Sequence, residues 1–141
     1  MRAFSLLEII IVIFILSALF ASIYYFQTSF YDTFLLEGEK ELLLNVLRKA
    51  RIEAAENLYQ SPRGVYLTST AYIIFSGQSF TNRNTSYDIN FPHLNISIAS
   101  PFSEIVFSQL IATSSASGTI ILSKRNKSFK ILINNEGYID W

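Results

Sequence analysis

The residue types that do chemistry are sparse and scattered in this chain. His93 is the only histidine and cysteine is absent, so no thiolate site, no multi-histidine metal site and no cysteine nucleophile can be built. His93 follows Phe91-Pro92 and reads as a surface residue in a turn rather than a ligand. Serine is abundant, yet there is no G-x-S-x-G elbow, no P-loop and no G-x-G-x-x-G. Asp88, Glu104, Glu136 and Asp140 are not paired by any spacing that suits acid–base work, and no acidic run has the pattern of a calcium loop. Three triplets beginning at Asn84, Asn95 and Asn126 match the N-x-S/T pattern and read as loop composition. No catalytic residue, metal or cofactor is implied, and the chain is not read as an enzyme.

Two groupings remain. Lys124, Arg125, Lys127 and Lys130 gather around one predicted hairpin. They are either a solubilising strand edge or a contact for a phosphate backbone; four cations would give weak, salt-sensitive binding without sequence preference. The second is Glu8, a carboxylate immediately before a long apolar run. A carboxylate costs about 2.5–3.5 kcal/mol at mid-bilayer and less near the edge, so its position asks for a reason.

Composition shows what must position these residues. With 141 residues there is room for one domain of ordinary size, and 11 basic against 11 acidic residues exclude a protein that holds nucleic acid by bulk charge. Half of the chain is hydrophobic and only 16% is charged, a skew that points to one stretch meant for lipid. That stretch is Ile9 to Phe26, and the next charge after Glu8 is Asp32. At about 1.5 Å per residue it spans a hydrocarbon core of about 30 Å. A cleaved signal peptide fits poorly, because the run is long for an h-region and Ala18-Leu19-Phe20-Ala21 is a poor cleavage site. A plain single-pass anchor with Arg2 on the cytoplasmic side fits the length but leaves Glu8 in the headgroup region without a task.

A third reading gives Glu8 a task. The segment Ala3-Phe4-Ser5-Leu6-Leu7-Glu8, followed by an unbroken apolar helix, resembles the N-terminus of type IV pilins and type II secretion pseudopilins. The resemblance implies a leader, residues 1–3, cut by prepilin peptidase between Ala3 and Phe4, N-methylation of Phe4, and Glu8 as the fifth mature residue. Ala3 stands where Gly is usual, Ser5 where Thr is common, and the mid-helix Pro of many pilins is missing. It also implies that Phe4 and Glu8 carry assembly: the Glu8 carboxylate of one subunit neutralises the Phe4 amine of its neighbour. In hydrocarbon either charge alone is costly, so such a pair sets register as well as strength.

The helix is predicted to run on to Tyr59, about 80 Å in all at about 1.5 Å per residue, with a weak point at Gly38 and a stop at Pro62-Arg63-Gly64. Residues 4–26 form its membrane or filament-core part and 27–59 an amphipathic continuation. In the latter, Leu43, Val46, Leu47, Ala50, Ala54 and Leu58 recur at helical spacing, as the core stripe of a globular head. From 64 to 141 the pattern changes to short strands: Val65–Leu67, Tyr72–Phe75, Tyr87–Ile89, Leu94–Ile98, Ile105–Phe107, Gly118–Leu122, Phe129–Ile133 and Tyr138–Trp141. Thr81–Ser86 reads as a polar loop, and the strands as an antiparallel meander of hairpins. The fold class is α+β, one long N-terminal helix packed by its second half on a small antiparallel sheet. The last hairpin, Ile131 to Trp141, and the helix segment Leu44 to Ala54 are similar to the GspH/FimT-like branch of minor pilins.

Taken together, the resemblance implies a structural subunit of a pilus or pseudopilus. Its N-terminus would be cytoplasmic and its head extracytoplasmic on a bacterial inner membrane. Its partners would be prepilin peptidase, other subunits, the membrane, and DNA or an exported protein. DNA uptake through the basic hairpin, and a membrane-anchored β-domain unrelated to filaments, stay open beside it.

Overall fold

The computed structural model describes residues 5–94 and 96–141, apart from the side chains of residues 23–29. The chain is α+β and forms two compact units, Met1–Phe34 and Leu35–Trp141. Helix α1 spans Leu6–Ala55. Ser5 opens it: its Oγ accepts the Leu7 N–H at 3.2 Å, an N-cap that satisfies one of the orphan donors of the first turn. Leucine, glutamate, lysine and arginine dominate its second half, all good helix formers, and α1 passes through Gly38 as regular helix. The expected weak point is therefore not a break.

The stop comes earlier than expected and from a different residue. Asn57 adopts the left-handed conformation, φ 56°, which Asn tolerates better than most residues, and a single 3-10 turn follows at Leu58–Gln60. Pro62 lies beyond this stop, and Arg63 and Gly64 begin the first strand. Leu58 thereby leaves the predicted stripe and is 37% exposed, while Leu43, Val46, Leu47, Ala50 and Ala54 are buried as predicted. Leu36 and Leu44 join them.

In the second unit eight strands form two antiparallel sheets rather than one meander. They are β1 (Arg63–Leu67), β2 (Ala71–Gly77), β3 (Arg83–Pro92), β4 (Ser97–Ala99), β5 (Glu104–Phe107), β6 (Gly118–Lys124), β7 (Lys127–Ile133) and β8 (Ile139–Asp140). The first sheet has the order β3-β2-β1-β5 and the second β4-β6-β7-β8. The chain leaves the first sheet after β3, returns for β5 through Ser100-Pro101, and leaves again through the Ser/Thr/Ala segment before Gly118. Neighbours in sequence are thus split between sheets at β4 and β5, an order that strand spacing alone does not encode.

Most strands differ from expectation by one or two residues at an end, and two differ by more. Arg83–Ser86, expected as loop, is the first half of β3, with Gly77 paired to Arg83 and Ser76 to Asn84. β3 is an edge strand with Asn84 to Tyr87 all exposed, so it carries no alternation of apolar residues to announce it. Conversely, the clean alternation from Leu94 yields a strand only at Ser97–Ala99.

One cluster of buried apolar side chains joins the helix to both sheets. Leu43, Leu47 and Ala50 of α1 share it with Val65, Ile74 and Phe107 of the first sheet and Ile120, Leu122 and Ile131 of the second. Each fully buried Leu or Ile contributes about 1.5–3 kcal/mol by removal from water. Gly64 is required by the packing. Its cross-strand partner is Phe75, and a Cβ on residue 64 would lie 2.2 Å from that ring. The aromatic ring covers the glycine backbone in place of a side chain.

Candidate functional site

Of the residues singled out for processing and assembly, Ala3 and Phe4 lie outside the described residues. Glu8 sits exposed in the first turn of α1, three residues after the Ser5 cap. The spacing Ser5-x-x-Glu8 is that of a capping box, a local signal the sequence reading passed over. A carboxylate in the first turn also meets the positive end of the helix dipole, worth about 0.3–1 kcal/mol on an exposed helix. Glu8 therefore has a favourable local environment within the single chain.

From residue 6 to 22 every described side chain is exposed in the single chain. Leu6, Phe14 and Phe20 are 78%, 73% and 70% exposed, and no face of the helix is polar. Contiguous apolar surface of this kind marks a membrane or protein contact. Among the described residues no helix stretch is long and apolar enough to cross a membrane. The predicted span Ile9–Phe26 runs on into residues 23–26, whose side chains lie outside the description.

The basic hairpin is formed by β6 and β7. Lys124 pairs with Lys127 across a two-residue turn in which Arg125 takes φ 50°. Arg125, Lys127 and Lys130 are exposed and Lys124 is half-buried. Strand alternation separates them. Lys124 and Lys127 continue the row of Leu122 and Phe129, whereas Lys130 is on the opposite face beside Leu132. The structure gathers the cations at one hairpin end but does not lay them on one face.

His93 is not a free surface residue. It is half-buried, with Nδ1 2.7 Å from the Leu94 carbonyl and Nε2 3.1 Å from the Thr68 carbonyl, and its ring stacks on Tyr72 with centroids 4.6 Å apart. Its own N–H donates to the Thr70 carbonyl at 3.0 Å. The next residue, Leu94, donates its N–H to Glu39 Oε1 of α1 at 2.9 Å. His93 and Leu94 thus clasp the end of β3 to the β1–β2 turn and to the helix. Glu39 Oε2 and the Tyr72 hydroxyl are buried with no hydrogen-bond partner among the described residues. Burial pushes the Tyr72 phenol up, and the neighbouring Glu39 carboxylate pushes it further the same way. The sequence analysis did not single out Glu39; its signal is its i−4 spacing from the buried Leu43.

A second buried charge ties β1 to α1. Arg63 is fully buried, its Nε donates to Glu53 Oε2 at 2.8 Å, and its Nη2 touches the same oxygen at 2.5 Å as an ion pair. Tyr59 covers it, with Arg63 Cζ 5.3 Å from the ring centroid, and stacks on Tyr87 at 4.0 Å. Each of these groups is held in place by the fold. Among the described residues no group of three or more His, Asp or Glu is placed to hold a metal ion. No protein-family model, no curated protein and no solved structure matches the chain.

Proposed function

We propose that the chain is a structural subunit, a minor pilin or pseudopilin of a type IV pilus or type II secretion pseudopilus. The observation that carries this reading is the apolar surface of residues 6–22, exposed on every side and led by a single carboxylate at Glu8. A helix that is apolar all round needs lipid or other helices as its surroundings; the membrane supplies the first and packed copies of itself in a filament the second. Prepilin peptidase cuts between Ala3 and Phe4, and the new Phe4 amine meets Glu8 of a neighbouring subunit. The pair neutralises two charges that hydrocarbon tolerates badly, so a subunit in the wrong register leaves both unpaired. The head, closed around its own core, is carried on the extracytoplasmic side of the inner membrane. The protein is a building block, and no catalysis is assigned to it.

A second reading, DNA capture in the manner of FimT-like minor pilins, draws support from the exposure of Arg125, Lys127 and Lys130 at one hairpin end. The test of the first reading is the intact mass and N-terminal chemistry of the protein recovered from membranes of its native host. The expected species starts at Phe4 and carries one added methyl group. A chain starting at Met1 reduces it to an anchored β-domain, and one starting after Ala21 makes it a secreted protein; either result sinks the filament reading.

A further inference from the structure

Strand β4 is the outer strand of the second sheet and, among the described residues, pairs with β6 along one side only. Ser97 and Ile98 of this strand, with Ile96 just before it, border a cavity of about 520 Å³, within the roughly 300–1,000 Å³ of ligand-sized clefts. The far wall is the end of β1, Leu67 with Thr68 and Ser69, and the connection Ser100 to Ser103 closes the space between them. The cleft thus lies where one sheet ends and the other has a strand edge to offer.

Its lining is selective. No acidic, basic or histidine side chain among the described residues borders it. Ile96, Ile98 and Phe102 give it an apolar floor that is buried or half-buried. Ser69, Ser97 and Ser103 stand exposed at its walls, with hydroxyls that make no hydrogen bond to the described residues. A charged occupant would lose hydration here and meet no countercharge. A free strand edge, in contrast, presents main-chain N–H and C=O groups at the spacing of another main chain.

We infer that this cleft binds a short, extended, uncharged segment of another protein, added as a new strand beside β4. Alternate side chains of the segment rest on Ile98 and Phe102 or meet the serine hydroxyls, and the main chain carries the affinity. This function of the head does not depend on N-terminal processing, so it stands or falls separately from the filament reading. A three-residue strand followed by Pro101 is also how proteins blunt an edge against association, and that account predicts no binding at all.

The experiment uses the full ¹⁵N-labelled chain in detergent micelles, titrated with the capped peptide acetyl-Thr-Val-Ser-Val-Thr-amide to about 2 mM. The expected result is saturable movement of the amide signals of Leu67–Ser69 and Ser97–Ala99, with a dissociation constant on the order of 0.1–1 mM. The same peptide with both Val replaced by Lys should bind at least about tenfold more weakly, and a backbone N-methylated version should not bind. Ser97→Lys and Ser69→Lys, substitutions at exposed positions on opposite walls, should keep the spectrum dispersed and weaken the parent peptide about tenfold or more. A flat titration overturns the proposal. So does equal binding of the lysine or N-methylated peptide, or movement of the same signals by maltopentaose in place of the peptide.

Discussion

Two stretches of one helix have similar apolar content and opposite fates. Leu16, Leu19 and Phe20 are 48%, 56% and 70% exposed, while Leu43, Leu44 and Leu47 are 0% exposed. The difference lies in what interrupts the apolar residues. After Leu35 the charges Glu37, Lys40, Glu41, Arg48 and Lys49 confine them to one side, and a sheet can cover one side. Between Ile9 and Ser22 no charge confines them, and their described side chains are exposed. The second stretch is a core and the first is an exposed apolar surface. Stability of the head should therefore depend on the second stretch and be indifferent to the first.

The largest effect expected is at Arg63, the fully buried cation among the described residues. Glu53→Ala leaves Arg63 without its countercharge and should cost the head about 3–5 kcal/mol. Urea unfolding of the full chain, followed by Trp141 fluorescence, measures it, because that ring lies 4.4 Å from the Arg48 guanidinium and reports loss of packing. A loss below about 1 kcal/mol would mean that the head relaxes around an unpaired Arg63, and that its interior is less closed than its burial indicates. Next comes a matched pair. Leu47→Ala should cost about 2–5 kcal/mol by transfer and cavity, whereas Ile13→Ala should leave head stability within about 0.5 kcal/mol. Equal effects from the two would erase the distinction between core and exposed helix.

The contrast between these stretches was legible in the sequence, because periodicity is a property of local spacing. So were most strands, whose apolar alternation reflects one buried face. Three features were not. The helix stop at Asn57 depends on a backbone conformation that Asn tolerates but does not dictate, so the Pro62–Gly64 breakers drew the boundary too late. The polar edge strand β3 owes its existence to pairing with β2 rather than to its own residues. The split into two sheets arises because β5 finds β1 and β4 finds β6, contacts remote in sequence. The same holds for the interior charges. Glu39 and Glu53 look like any helical acids until the fold brings Leu94 and Arg63 to them.

Tyr72 offers a smaller test that only the packed region can show. Its phenol is fully buried and its ionisation is pushed up by burial and then by Glu39. The folded state thus keeps the proton where the unfolded chain, near pH 10, gives it up. The unfolded state binds fewer protons above that pH, so stability should fall as pH rises past 10, by up to about 1.4 kcal/mol per pH unit for this one group. Tyr72→Phe should remove that component of the slope. It should cost little at pH 7, because the hydroxyl it deletes has no partner among the described residues. An unchanged alkaline slope would show that Tyr72 gains access to water before the head unfolds.

The smallest effect on stability belongs to the basic hairpin, which is neither core nor apolar surface. β8 pairs only with Leu132 and Ile133 of β7, so the outer edge of β7 from Lys127 to Ile131 has no strand partner among the described residues. Lysines on such an edge keep it from pairing with other chains. Replacing both Lys127 and Lys130 by Ala should change unfolding by less than about 0.5 kcal/mol yet raise light scattering of the concentrated protein. Because Lys127 and Lys130 are on opposite faces of β7, a single phosphate track is poorly placed to meet both. DNA retention should therefore keep its salt dependence in the double variant. A slope reduced by about 1 for each lysine removed would instead make the hairpin a nucleic-acid contact.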